Sequence, residues 1–596
     1  MERDANSPSH GRKYKSRKER PCDACRRRKV CCIREPGDGA CSLCRMQNSS
    51  CRYDKGPTSR RRRPASGPPV TEDAESSSSV FLRRHGSRDR RESLITTTTP
   101  GFSAATGGEW ISQYVGLSGD QDPFVLRHSN FNRSNYYKSD DWACLRVRSD
   151  GAFPAIFTLV PDSHLDARPP HYPDSSLLDE AYPLHHELLT TYFDVIHTSY
   201  PLLDPTRFVK GNKIDLPLLA AMYSLSLPYC PAARDLSYGA INSFAFQALP
   251  IESRMPRLET IEASLLFLQR HTQIHRAPTT PGLYAELGAL VGISHDAGLN
   301  IDPSSWDLST ADRSRRKRLW YAVFIADKWS ALGLGRPSYI HDDECNVPLL
   351  TVDDIPAETV GKDGLPRTSS QMFVAIAALT QILSAILTTF YTLKGAEHSA
   401  LSTVEELARV KGFFELQLHD FQARYMAPFA NITDVFLDPT GTLFLAYYTV
   451  EIVLCRALLR CLPPTDPNCL QLRERARQLV MSISKLLENL QVTRLRAFWW
   501  SPISRINFAM AGGFMFSMLL SSVTDEEVEW WSAELSRYRR LLDMQSLAFD
   551  TTKLAAARMS ALANVNQARA PSDATTGRVD PKQAFCRDFG VELNTL

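Results

Sequence analysis

Six cysteines near the N-terminus form two trios with the same internal spacing. Two residues separate the first pair in each trio, six separate the next, and each member of the second trio follows its counterpart by 19 positions. Cysteines separated by two residues can place both thiolates on one metal ion, which is the common zinc-ligand spacing. The repeat therefore predicts two similar metal half-sites. The six positions are Cys22, Cys25, Cys32, Cys41, Cys44 and Cys51.

The ligand count leaves two arrangements open. Two separate tetrahedral zinc sites need eight ligands, whereas this stretch adds only Cys31 to the six and has no histidine between His10 and His85. Six thiolates complete two tetrahedra if two of them bridge both ions. The alternative is one four-cysteine site with spare thiols. A RING or LIM arrangement fails because ligands are too few.

The N-terminal charge indicates the kind of partner that the chain binds, and the lack of a secretory signal indicates its compartment. Residues 1–63 carry 19 Lys or Arg against 7 Asp or Glu, a net +12, whereas the whole chain is +3 and the remainder is therefore −9. This basic head predicts a polyanionic partner. Residues 1–20 lack an apolar signal core, so an intracellular location is expected and disulfides are disfavoured.

The cysteine-rich segment resembles the fungal binuclear zinc cluster transcription factors. The likeness covers residues 21–54, including "CDACRRRK", Pro36 between the halves and "CRYD" at the end. The resemblance implies two zinc ions bridged by Cys22 and Cys41. It also implies a short helix from Cys25 to Cys31 whose basic residues meet double-stranded DNA.

Within that resemblance the basic residues divide into two groups. Arg28 and Lys29 are expected to enter the major groove, with Lys29 at the position that reads CGG triplets through guanine O6 and N7. Phosphate contacts position a protein without specifying sequence. They are expected from Arg26, Arg27 and Arg45.

Cys31 departs from the family pattern. The position before the third ligand usually carries Lys or Arg and helps to bind phosphate, whereas here it is an uncharged thiol. We interpret Cys31 as a spare thiol. The alternatives are that it replaces one of the six cysteines as a zinc ligand or that it is a redox-sensitive thiol. The lost contact predicts modestly weaker binding and a salt dependence flatter by about one unit of slope.

Low-complexity segments flank the cluster. Residues 1–20 form a basic arm, and residues 55–108, rich in Pro, Gly, Ser and Thr, are predicted to be a disordered linker. The basic runs at 11–20 and 60–63 suit nuclear import or phosphate attraction. Ser93 follows two arginines and is either a kinase site or unmodified. The linker has no apolar heptads, so dimerisation belongs to the helical body, or the chain binds as a monomer or with another factor.

The rest of the chain predicts a large all-α regulatory domain. Residues 109–180 look like an irregular, partly extended lead-in, residues 181–563 show helical periodicity, and residues 564–596 look like a disordered tail. Ser402 and Glu405 form a predicted capping box. The longest apolar run, Phe508 to Leu520, is too short to span a bilayer, so no membrane partner is expected.

The helical body resembles the regulatory domain that accompanies these clusters in fungi. The matching motifs are "YFDVIHTSYPLLD", "GLNIDPSSW", "RRKRLWYAVFIADKW", "GRP" and "NVP", in order over residues 180–350 and more weakly to about 520. Two stretches, "YVGLSGDQDPFVLRH" and "DKWSALGLGRPSYI", are similar to regulators of nitrogen-source use.

Isolated charged residues in the body favour structural roles. The basic residues at 313–318 are expected to cover a helix start and pair with neighbours rather than bind an acidic ligand. Asp327 is expected to be a paired core carboxylate, with Arg316 or Arg336 as its partner, because unpaired burial of charge is costly. No nucleophile has a plausible base, so an enzyme, including one with a zinc-stapled head, is not expected.

These features together predict a nuclear, zinc-dependent, sequence-specific regulator of transcription by RNA polymerase II. It would act on metabolic genes, of nitrogen-source or related type, and would form homodimers or bind other transcription factors through the helical domain. The alternative is a coregulator that acts through its helical domain while its zinc cluster is dispensable.

Overall fold

The computed structural model describes short pieces of the cysteine-rich segment and most of the chain after residue 110. The described residues are 22–23, 25, 40–41, 44–45, 51–52, 110–117, 121–138, 142–148, 154–161, 172–208, 214–254, 257–270, 282–356, 368–429 and 437–567. The chain divides into two compact units, Met1–Arg84 and His85–Leu596. The predicted basic arm, the predicted linker with Ser93, and residues 568–596 of the predicted tail lie outside the described residues. Residues 564–567 of that tail are instead the end of a helix, Asp550–Gln567.

A four-stranded antiparallel sheet begins the second unit. Its strands lie in the order β1-β4-β3-β2, and β4 pairs with both β1 and β3. The strands are β1 (Trp110–Tyr114), β2 (Tyr136–Lys138), β3 (Ala143–Arg148) and β4 (Ala155–Pro161). The extended part of the lead-in predicted over residues 109–180 thus forms a regular sheet, which the sequence analysis did not predict.

Both faces of the sheet are covered, which explains why the strands escaped sequence analysis. Leu145 and Phe157 pack on one face against Trp306, whose ring lies 5.7 Å from that of Phe157. Cys144 and Ile156 lie on the opposite face in a second apolar cluster. Because successive residues are apolar on both faces, the alternation typical of a half-buried strand is lost.

The remainder of the described unit is helical, as the periodicity predicted. Fourteen α-helices of seven or more residues follow the sheet among the described residues. They are α1 (His185–Thr191), α2 (Leu216–Ser226), α3 (Tyr238–Glu252), α4 (Leu258–Leu268), α5 (Leu283–Asp296), α6 (Thr310–Leu334), α7 (Thr368–Phe390), α8 (Leu393–Leu401), α9 (Val404–Phe421), α10 (Gly441–Cys461), α11 (Pro467–Glu488), α12 (Ser501–Leu520), α13 (Asp525–Gln545) and α14 (Asp550–Gln567).

Three helices in the described part of the chain are unusually long and apolar. Ser369–Phe390, Gly441–Cys461 and Ile503–Leu520 are long and apolar enough to cross a membrane by length and composition. The prediction, made from the apolar run Phe508 to Leu520, that no segment is long enough to span a bilayer is therefore wrong by length and composition. In this structure 67%, 78% and 61% of the respective most apolar windows are buried inside the protein. Such helices form the centre of a helical core when neighbouring helices cover them on every side.

Local chemistry sets several helix ends. The capping box of α9 is formed by Thr403 and Glu406, one residue later than predicted. Gly335 ends α6 with a φ of +62°, a left-handed conformation that favours glycine. Gly333 lies inside α6, where an added Cβ would come within 2.4 Å of Ile506 on α12. Gly333 therefore allows α6 and α12 to pack closely, and Gly335 ends α6.

The basic start of α6 is tied into the core, which confirms the prediction that these residues pair with neighbours. Arg315 donates to Glu262 (2.8 Å) and Glu259 (3.0 Å) on α4. Arg318 donates to the carbonyl oxygens of Leu202 and Asp354, and burial lowers the pKa of Arg318 to about 10. These arginines join α6 to three other parts of the chain.

The Asp327 carboxylate is paired, but not with an arginine. It accepts the backbone N–H groups of Tyr339 (2.9 Å) and Ile340 (3.1 Å) and the hydroxyl of Ser338 (2.5 Å). Arg316 instead donates to the carbonyl of Ala297 and lies over the Trp306 ring. The predicted partners of Asp327, Arg316 and Arg336, are therefore wrong, because backbone amides satisfy the carboxylate.

His197, from the "YFDVIHTSYPLLD" motif, is buried and neutral near neutral pH. Neither of its ring nitrogens has a hydrogen-bond partner within the described part of the chain. Burial first, and then the nearby Arg318 cation, lower the His197 pKa from 6.5 to about 4. The unfolded chain therefore binds a proton below pH 6.5 that the folded protein does not accept until pH 4.

We expect His197→Leu to remove this acid sensitivity. The His197 pKa is lower in the folded protein than in the unfolded chain. The folded state is therefore fully stable with respect to this group above pH 6.5, and it loses about 3 kcal/mol in all as the pH falls to 4. The free energy of unfolding, measured in urea from pH 7 to 4, should fall less for His197→Leu than for the natural chain. A constant difference between the two proteins across this range would contradict the assignment.

Asp215 provides a control of opposite sign in an overlapping range. Burial raises its pKa to about 6, with Arg257 opposing the rise, so its contribution to folded-state stability is present at low pH and declines as pH rises through 6. We expect Asp215→Asn to steepen the loss of stability on acidification, whereas His197→Leu makes it shallower.

Candidate metal centre

Four cysteine sulfurs from the two trios lie together in the N-terminal unit. The Sγ atoms of Cys22, Cys25, Cys41 and Cys44 are within 4.8 Å of one another, and all four residues are buried. The sulfur separations are 3.8 Å for Cys22 and Cys41, 3.7 Å for Cys22 and Cys44, and 3.6 Å for Cys25 and Cys41. The chain thus brings residues of both half-sites to one point.

These separations fit tetrahedral zinc. A zinc–sulfur bond of about 2.3 Å makes each edge of a tetrahedron of sulfurs about 3.8 Å long. An all-sulfur donor set is selective for zinc or an iron–sulfur cluster. Burial raises the pKa of the Cys22 thiol, whereas a bound cation has the opposite effect because a coordinating thiol is deprotonated outright. The four residues therefore fit the predicted metal.

Backbone hydrogen bonds orient the sulfurs and close the segment. The N–H of Cys25 donates to the Cys22 sulfur and the N–H of Cys41 donates to the Cys51 sulfur, both at 3.4 Å. The half-buried Cys51 packs against the four buried cysteines. The N–H of Asp23 donates to the carbonyl of Arg52 at 2.8 Å, which joins the start of the segment to its end.

The structure places only part of the predicted site. Five of the six predicted ligands and Arg45 are described, and Arg45 is exposed beside the buried Cys44. Cys32, Cys31 and the predicted DNA-contact residues of the short helix lie outside the described residues. Those residues are Arg26, Arg27, Arg28 and Lys29.

Sequence reasoning missed a cleft in the second unit. A cavity of about 420 Å³ opens between α9, α10 and α11. Glu451 on α10 accepts two hydrogen bonds from Arg475 on α11, both at 2.8 Å, and Lys411 pairs with Glu415 on α9. Because its residues come from three separate helices, no single local motif reveals it, and Glu451 with Arg475 and Lys411 with Glu415 are already paired with each other.

Part of the second unit, which we call the helical unit, matches a known family. Residues 189–411, which run from α1 into α9, match the family described as the fungal specific transcription factor domain. An uncharacterized transcriptional regulatory protein of Schizosaccharomyces pombe is 24% identical over 92% of this chain and 90% of its own length. No solved structure matches the chain.

Other relatives are longer proteins. The transcriptional activator protein DAL81 of Saccharomyces cerevisiae is 25% identical over 62% of this chain and 43% of its own length. The acetamidase regulatory protein of Aspergillus fumigatus is 22% identical over 57% of this chain and 42% of its own. This chain thus spans less than half of either. The matched family and the relatives are transcription factors and regulators, which confirms the prediction that the chain is not an enzyme.

Proposed function

We propose that this chain is a nuclear regulator of transcription by RNA polymerase II that binds double-stranded DNA through a two-zinc cysteine cluster. One observation carries the proposal: among the described residues, the Cys22 and Cys41 sulfurs lie 3.8 Å apart, and each is also close to a cysteine of the other trio, Cys22 to Cys44 at 3.7 Å and Cys41 to Cys25 at 3.6 Å. A bridging pair produces this pattern, because each bridging sulfur belongs to both tetrahedra. Cys25 would then complete one tetrahedron together with Cys32, and Cys44 would complete the other with Cys51.

The proposed cluster sets the direction of the basic residues that follow Cys25. Six thiolates and two zinc ions carry a net charge of about −2, which the neighbouring Arg and Lys side chains offset. Lys29, with Arg28, reads guanine edges of CGG-type triplets in the major groove. Arg26, Arg27 and the exposed Arg45 bind phosphates and fix the register of the protein on the duplex.

The helical unit carries regulation and contacts with other factors. Its match to the fungal specific transcription factor domain supports this role. The relatives include a transcriptional activator and a regulator named for acetamidase, which favour activation of metabolic genes of nitrogen-source or related type.

The deciding experiment compares Lys29→Ala with Arg45→Ala. We expect Lys29→Ala to abolish promoter occupancy in cells and to lower affinity for a CGG-containing duplex by roughly 10- to 100-fold, because one base contact contributes about 1–3 kcal/mol. Arg45→Ala should weaken binding to all duplexes alike and lower the salt slope by about one. Unchanged transcription with Lys29→Ala would instead support the coregulator with a dispensable cluster.

A further inference from the structure

The outward face of α9 presents apolar side chains to solvent. The helix buries Leu407, Phe414 and Leu418 against the core. On its opposite side Phe413 is 56% exposed and Leu416 is 68% exposed. Large side chains exposed side by side on a helix mark an interaction surface more often than scattered single ones do.

Charged residues extend this face in both directions. Spacings of three and four residues keep side chains on one side of a helix. The chain leaves α9 through a π-helical turn at Gln422–Met426, yet Arg424 still pairs with Asp420 at 2.7 Å, so Arg424 continues the same face. We name the following six exposed residues the α9 stripe: Glu405, Arg409, Phe413, Leu416, Asp420 and Arg424.

The α9 stripe is complementary to itself when reversed. Read forwards it is negative, positive, apolar, apolar, negative, positive, with spacings of four, four, three, four and four residues. An antiparallel copy therefore sets Arg409 opposite Asp420, Phe413 opposite Leu416, and Glu405 opposite Arg424. A parallel copy in register would instead place like charges together at all four charged positions.

We propose that the α9 stripe is a dimer interface, in which two copies of this chain pair their α9 helices antiparallel about a twofold axis. A twofold interface uses the same patch on both partners and requires this self-complementarity. Phe413 and Leu416 supply the apolar centre, and the charged ends fix the orientation. Gly412 borders this centre, and an added Cβ there would meet nothing within 4 Å. The α9 helix of the second copy therefore has room to approach.

The pairing accounts for a feature of the sequence. Residues 55–108 lack apolar heptads, so the segment after the cysteines offers no coiled coil for dimerisation. The α9 stripe would supply a dimer contact in the helical unit, independent of zinc and of DNA. The experiment that tests it measures only the association of two chains, so a negative result would leave the proposed DNA binding unaffected.

The antiparallel geometry is tested with two complementary charge variants of the full chain. In sedimentation velocity the natural chain should dimerise, and Arg409→Asp or Asp420→Arg alone should weaken dimerisation at least tenfold, because each homodimer then contains two like-charge pairs. An equimolar mixture of the two variants should restore it, since every heterodimer contains two Asp–Arg pairs.

A second pair of variants separates this interface from general apolar association. Leu416→Glu should weaken dimerisation, whereas Leu547→Glu, at an 88% exposed position that is not part of the α9 stripe, should leave it unchanged. A natural chain that remains monomeric at all concentrations overturns the proposal. So does a mixture that associates no better than the separate variants, or a dimer that persists in Leu416→Glu.

Discussion

Cys22→Ser is expected to strip both zinc ions from the protein and to abolish sequence-specific DNA binding. A serine hydroxyl is a poor zinc ligand, and Cys22 is proposed to bridge the two ions, so its loss leaves each ion with three ligands. Zinc per chain, measured by native mass spectrometry under reductant, should fall from two to none. Affinity for the specific duplex should fall to the nonspecific level, a loss of roughly a thousandfold or more.

Cys31→Ser is the matched control because it removes a thiol from the same segment. It should keep two zinc ions and full specific binding if Cys31 is a spare thiol. Equal zinc loss in Cys31→Ser and Cys22→Ser would show that Cys31 is a ligand. A single zinc ion per natural chain would contradict the bridged arrangement and favour one four-cysteine site.

Glu262→Gln is expected to destabilise the helical unit by roughly 3–5 kcal/mol, because it leaves buried guanidinium charge without its main partner. Glu262 is fully buried and accepts hydrogen bonds from Arg315 at 2.8 Å and from Arg207 at 2.9 and 3.0 Å. Burial by itself lowers the pKa of Arg315, and the carboxylates of Glu262 and Glu259 outweigh burial and raise it. The amide keeps the shape of the side chain, removes its charge, and replaces one accepting oxygen with an NH2 group that cannot accept from the guanidinium groups.

Urea unfolding at pH 7 measures this effect, with Glu488→Gln as the control. Glu488 pairs with Arg537 at 2.6 Å, but their side chains are 36% and 39% exposed. An exposed ion pair contributes about 0–1 kcal/mol, so this change should scarcely alter the free energy of unfolding. If both variants lost a similar amount of unfolding free energy, burial of the ion pairs of Glu262 would not make them more stabilising than an exposed pair.

Some features could be predicted from the sequence because their physics is local. Cysteines two residues apart can share a metal ion wherever the chain goes next, and four of the six predicted ligands do converge. Helical periodicity likewise follows from spacing along one element, and the described body is mainly helical. The capping box was misplaced by one residue because adjacent Ser402 and Thr403 offer the same side-chain chemistry.

Other features required the tertiary structure because distant segments create them. Both faces of the β-sheet are covered, so β4 and the start of β3 carry apolar residues at successive positions, which hides the alternation of a half-buried strand. The partners of Asp327 are backbone amides that the chain brings back after α6 ends, which no residue-type pattern records. The self-complementary charges of the α9 stripe were present in the sequence from the start. They point to solvent only because the opposite face of α9 packs into the core. The sequence of a single helix does not determine which face is buried, because that depends on where the neighbouring helices lie.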